Sequence, residues 1–166
     1  MLTIVGSLLD DLLRSFGLAF VVITLMMIAL LGELKLGLIA MIPNLLPITM
    51  VVAFMAAAGI PVDLNNLLFG SIAIGIAVDD TIHFLHQFKV HHDAHGHVDD
   101  AIHHSLQHAG RAMVSTSVIL VGGFMVMASS ELSSSHMFAI LVSMSVVYAL
   151  GSDLIVTPAL LRTFYK

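Results

Sequence analysis

The stretch Gly70–Phe88, GSIAIGIAVDDTIHFLHQF, decides how the chain is read. It is apolar enough to cross a bilayer, yet Asp79 and Asp80 stand side by side near its middle. On membrane-insertion scales a central Asp costs roughly +2.5 to +3.5 kcal/mol and a central Leu, Ile, Phe or Val contributes roughly −0.3 to −0.6. The large apolar residues from Leu67 to Leu85 supply about −5 kcal/mol, and two charged aspartates cost about +6. Alone in lipid such a helix is marginal. The segment is therefore expected inside a bundle, its carboxyls facing protein or trapped water. An ionisable residue at membrane depth points first to function.

Composition sets the frame outward from that helix. The chain has 166 residues, 58% hydrophobic and 10% charged, with mean hydropathy +1.03. Soluble domains carry about 25% charged residues, so the expectation is an integral membrane protein with no room for a second, soluble domain. There is no cysteine, which excludes disulfides and thiolate metal sites. The N-terminus lacks the basic start of a cleaved signal peptide, and Asp10 and Asp11 interrupt its apolar run.

In chain order, residues 1–14 place Leu8, Leu9, Leu12 and Leu13 opposite Asp10, Asp11 and Arg14. This reads as an amphipathic interfacial helix, or as the polar start of the first span. Apolar runs then predict five transmembrane helices, at about 15–33, 36–60, 64–88, 109–130 and 136–161. The fold class expected is all-α, a polytopic membrane helix bundle. Pro43 and Pro47 should bend or loosen the second span. Gly59 to Asp63 reads as a turn, with Asp63 a plausible N-cap for the third span. Ser71/Gly75 and Ala73/Ala77 are small-residue pairs that let a helix approach closely. The polar segment from Lys89 reads as a loop, followed by a short helix from about Val98. With five spans, Lys35, Lys89, Arg111, Arg162 and Lys166 fall on one side and Arg14 alone on the other, which predicts the N-terminus outside and the C-terminus in the cytoplasm.

Neighbouring helix positions point about 100° apart, so one aspartate can face the bundle centre and the other a neighbouring helix. Desolvation and mutual repulsion both disfavour two charges there, which suits binding and release of a proton. A structural pair, hydrogen-bonded to a neighbouring helix, is the other reading. His83 follows Asp79 by one helical turn, and Gly75, Asp79, His83, His86 and Gln87 form one stripe, a candidate proton relay or hydrated line. Ser115, Thr116 and Ser117 either donate to the aspartates or bond back to their own helix. Asp153 is expected to support the structure. His91/His95 and His104/His108 each have a one-turn spacing, but no HExxH motif occurs and no metal site is expected. No phosphate-binding loop, nucleophile elbow or basic nucleic-acid patch is present, so neither an enzyme, a cofactor nor a nucleic-acid partner is expected.

The segment Gly75-Ile76-Ala77-Val78-Asp79-Asp80 is similar to the GxxxDD motif of the RND (resistance–nodulation–division) superfamily. Pro43-Asn44-Leu45-Leu46-Pro47, Gly59 to Asp63, Thr81 to Phe84, Gly110-Arg111-Ala112, Gly123-Phe124 and Asp153 through Leu161 follow that superfamily's order. The chain resembles its MMPL-like and Patched-like branches, whose membrane region is of the sterol-sensing type. The resemblance implies a proton-coupled exporter of hydrophobic or amphiphilic, lipid-like substrates in the inner (plasma) membrane. It implies proton relay at Asp79 and Asp80 and close packing at Gly75. It also implies that these are the last five spans of one half of a transporter, working with the other half or another copy. A membrane module that binds a lipid or a partner protein without transport is the rival expectation.

Overall fold

A computed structural model describes the backbone of residues 2–60, 64–129 and 133–165, and the side chains of 14–60, 72–129 and 135–165. Five long rods account for nearly all of it. They are α1 (Leu2–Leu31), α2 (Leu34–Ala58), α3 (Leu64–His95), α4 (Val98–Ala128) and a last rod built from α5 (Ser133–Gly151), a π-helical turn (Ser152–Val156) and α6 (Thr157–Phe164). The all-α membrane bundle is thus the observed class.

Among the described residues four helical segments are long and apolar enough to cross a membrane: Arg14–Leu31, Leu34–Ala58, Val98–Ala128 and Ser135–Phe164. Five were expected. The described side chains of α3 begin at Ile72, so those of the apolar start of the expected third span, about 64–88, lie outside the described residues. Helix α3 nonetheless packs against α1, α2, α4 and α5. Ala73, Ala77, Val78, Thr81, Phe84, Leu85 and Phe88 form its buried stripe at helical spacing. The α2 span and the last rod are 44% and 50% buried, against 11% for α1 and for α4, so the former are central and the latter peripheral. Exposed Leu18, Val21, Leu25, Val118, Ile119 and Val126 give the periphery an apolar surface suited to lipid.

The expected loop after Phe88 is not a loop. Helix α3 continues through the histidines to His95, and only Gly96 and His97 separate it from α4. Polarity suggested an irregular connector, but histidine is an acceptable helix former once neighbours one turn apart can stack. His91 stacks on His95 at 4.2 Å, His104 on His108 at 4.0 Å, and His91 on His104 across the hairpin at 4.3 Å. Gly96 makes the reversal with φ +74°, a left-handed backbone that favours glycine. Its N–H bonds His92 O at 2.7 Å. The interfacial stretch and first span likewise share one unbroken helix, α1, whose side chains before Arg14 lie outside the described residues. So do Asp63, the expected cap of α3, and most of the turn around Glu131.

The prolines do not break α2. Pro47 has no N–H for the carbonyl of Pro43, and Ser152 Oγ donates to that carbonyl instead, at 3.1 Å. On the other side of this contact the last rod changes register. Thr157 N–H reaches back five residues to Ser152 O, immediately before Pro158, which has no N–H to offer.

One end of the bundle gathers most of the charged groups. Tyr165 donates to Glu33 Oε2 at 2.7 Å, Arg162 pairs with Asp99 at 2.9 Å, and the Tyr165 ring meets Phe88 and His92 edge-on. Burial, then the hydrogen bond and charge of Glu33, push the Tyr165 phenol up from its ordinary value. The α1–α2 turn, the α3–α4 turn and the C-terminus therefore share a side, as an odd number of crossings requires.

Candidate functional site

Two apolar clusters fill the bundle. One holds Leu36, Ala40, Val78, Phe84, Phe88 and Leu161, and the other holds Val51, Met55, Ala73, Leu141 and Val146. A polar layer of Asn44, Thr81, Ser152, Asp153 and Thr157, all buried, lies between them along α2 and the last rod and within the first of them on α3. Thr81 Oγ1 lies 2.7 Å from Asp153 Oδ1 and 2.9 Å from Asn44 Oδ1. Thr157 Oγ1 lies 3.2 Å from the same Asp153 oxygen. Oxygens so placed tie three helices at one level.

The aspartate pair sits beside this layer and splits across it. Asp80 is buried, 8% exposed, while the Asp79 side chain is 74% exposed on the outer face of α3. The 100° step between neighbours accounts for the split. Both line one cavity of about 270 Å³ between α3 and α4, with His83 and Gln87 on the α3 wall and His108 and Thr116 on the α4 wall. Ala109, Ala112 and Met113 make the rest of the α4 wall, and the two alanines leave the room. His83 Nε2 stands 3.8 Å from Asp79 Oδ1. The cavity thus joins an inward carboxyl, an outward carboxyl and an imidazole that can carry or hand on a proton.

Other expected residues fall elsewhere. Gly75 is exposed, and a Cβ added there would meet nothing within 4 Å, so among the described residues no helix makes the close approach expected of it. It lies on the same outward stripe as Asp79 and His83. The close-packed pair is Ala73 and Ala77, 2% and 1% exposed. Ser115 donates back to Arg111 O and Thr116 to Met113 O, both at 3.0 Å, so neither reaches an aspartate. A helical hydroxyl finds its own preceding turn first. Ser117 is buried without a partner. Asp153 faces the interior, 1% exposed. Among the described residues no three His, Asp or Glu side chains are grouped to hold a metal ion. Sequence reasoning missed Thr81 and Asn44. The available signals were a hydroxyl directly after the aspartate pair and a lone amide between two prolines of an apolar span.

Several apolar helices around a buried acidic and hydroxylic layer define a multi-pass helical membrane protein. The family model of the AcrB/AcrD/AcrF family matches residues 3–166. The chain belongs to that family, and so to the RND superfamily. Among curated proteins none matches it.

Proposed function

We propose that the chain is the membrane part of a proton-coupled exporter of hydrophobic or amphiphilic, lipid-like substrates, of the MMPL-like and Patched-like kind, and not an enzyme. The observation that carries this reading is the division of the aspartate pair. Asp80 is turned into the bundle, Asp79 is turned out, and both stand on one cavity with His83. A proton arriving at Asp79 or His83 has a short way to Asp80. Neutralising Asp80 removes a charge that costs a few kcal/mol at membrane depth. A change of that size shifts a two-state packing equilibrium by tenfold or more.

The outward stripe also supports a partner. Asp79 and His83 are exposed within the apolar part of the bundle, and Gly75, on the same stripe, has open space before it. Charged and polar groups at that depth turn to protein or water rather than to lipid. The surface suits another polypeptide, the other half of the transporter or a second copy. The family reading points to the inner (plasma) membrane, and the charge distribution favours the N-terminus outside and the C-terminus in the cytoplasm.

Asp79→Asn and Asp80→Asn keep size and hydrogen bonding and remove titration. Reconstituted with the partner, both variants should insert normally and lose flux driven by a pH gradient. Normal flux with an unchanged pH profile in both would make the pair structural and the proton-coupling reading wrong, and no flux from the wild type would favour the binding module.

A further inference from the structure

The buried polar layer has more acceptors than protons. Thr81 Oγ1 is within hydrogen-bond distance of Asp153 Oδ1 at 2.7 Å, Asn44 Oδ1 at 2.9 Å and Ala77 O at 3.0 Å. One hydroxyl donates once. Asn44 cannot supply a donor to Thr81. Its Nδ2 donates to Ala40 O at 2.9 Å, and turning the amide over would set two acceptor oxygens at that distance. If Asp153 were ionised, Thr81 and Thr157 would both donate to it, and Asn44 Oδ1 would face an oxygen with no proton to give. That residue is 3% exposed, so no solvent would compensate. If Asp153 carries a proton, it donates to Thr81, Thr81 donates on to Asn44, and Thr157 donates to Asp153. Asp153 Oδ1, Thr81 Oγ1 and Asn44 Oδ1 then each have a partner.

The surroundings agree. From α2 comes Asn44, from α3 Thr81 and beside it Asp80, and from α6 Thr157. Helix α4 meets the π-helical turn where Leu154 covers Gly110. Among the described residues the ionisable group bearing on Asp153 is Asp80, another acid; the imidazole of His83 bears on Asp80, and no cation pairs with Asp153. A carboxylate 1% exposed with no cation is uncompensated. The π-helical turn itself is a form found frequently at functional sites.

We infer that Asp153 is a second proton-binding group, held as the neutral acid and donating through Thr81 to Asn44, so that it positions α3 against α2 and the last rod. Thr81 directly follows Asp80, so loss of this proton frees α3 at the residue that carries the coupling. That consequence rests on the exporter reading, whereas the protonation does not. Asp153 is a positioning residue for Asp80.

Infrared difference spectroscopy of the full chain in lipid nanodiscs at neutral pH tests this. The wild type should show a protonated-carboxyl C=O band that Asp153→Asn removes, while Asn keeps an N–H donor for Thr81 and with it the fold. Thr81→Val should move the band to higher frequency without removing it, because the acid loses its acceptor. A spectrum unchanged in this region by Asp153→Asn would show an ionised Asp153 and overturn the inference. A band unmoved by Thr81→Val would overturn the donation to Thr81. The band is read without substrate, so its absence counts against Asp153 alone and leaves the exporter reading to its own flux test.

Discussion

Replacing Thr81 with Val keeps the shape of a fully buried side chain and deletes its hydroxyl. Two links between helices go with it, to Asn44 on α2 and to Asp153 on the last rod. Hydrogen bonds between membrane helices average about 0.6 kcal/mol and reach about 1.7, so the expected loss is about 1–3 kcal/mol. A control is at hand in Thr49, exposed on α2, which bonds only to its own helix at Leu45 O and Leu46 O. Thr49→Val should stay within about 0.5 kcal/mol of wild type. The assay is reversible unfolding by SDS titration in mixed micelles. Combined with Asn44→Ala, Thr81→Val should cost less than the sum of the single losses, by about 0.5 kcal/mol or more, since both remove the same link. If Thr81→Val cost no more than Thr49→Val, the polar layer would not hold the helices together and the reasoning would be refuted.

Three further expectations concern the frame around the site. A Cβ at Gly37 would lie 2.5 Å from Ile28 Cγ1 and 3.0 Å from the Ile28 backbone, so Gly37→Ala should push α1 off α2 and cost about 1–3 kcal/mol in the same titration; an unchanged midpoint would mean the helices do not meet there. In the α3–α4 hairpin, desolvation first and then His108, His91 and His95 push the His104 imidazole down from its ordinary 6.5. A depressed imidazole stabilises the folded hairpin above its ordinary value, and that stability is lost as pH falls through the lower folded value. Hydrogen exchange across residues 91–108, corrected for intrinsic rates, should therefore speed up on acidification, and protection independent of pH would count against the stack. For topology, a cysteine replacing His95 should react with an impermeant thiol reagent only when the cytoplasmic face is open, and labelling of intact cells from outside would invert the orientation.

The fold was legible because lipid imposes a simple rule. Uncharged runs such as Ser15–Leu31 and Leu36–Ala58 leave the backbone no alternative to helix. Asp80 was legible because its cost in an apolar segment is large enough to require a reason. The histidine segment was misread as a loop because composition does not reveal stacking across a hairpin, and Gly96 alone marked the true break. The polar layer was hidden for a different cause. Thr81 meets partners 37 and 72 residues away, and the second meeting depends on the last rod slipping into π-helical register before Pro158. Gly75 was assigned a packing role from the motif, yet which face of α3 turns outward emerges only when all five rods are assembled.

The proposed movement of protons through Asp80 can be measured directly in proteoliposomes that hold the chain with the proposed other half and an internal pH dye. With substrate present and a pH gradient imposed, wild type should carry protons down the gradient in step with substrate export. Asp80→Asn should carry neither while remaining folded and inserted. Proton movement at the wild-type rate in Asp80→Asn would contradict the account at its centre.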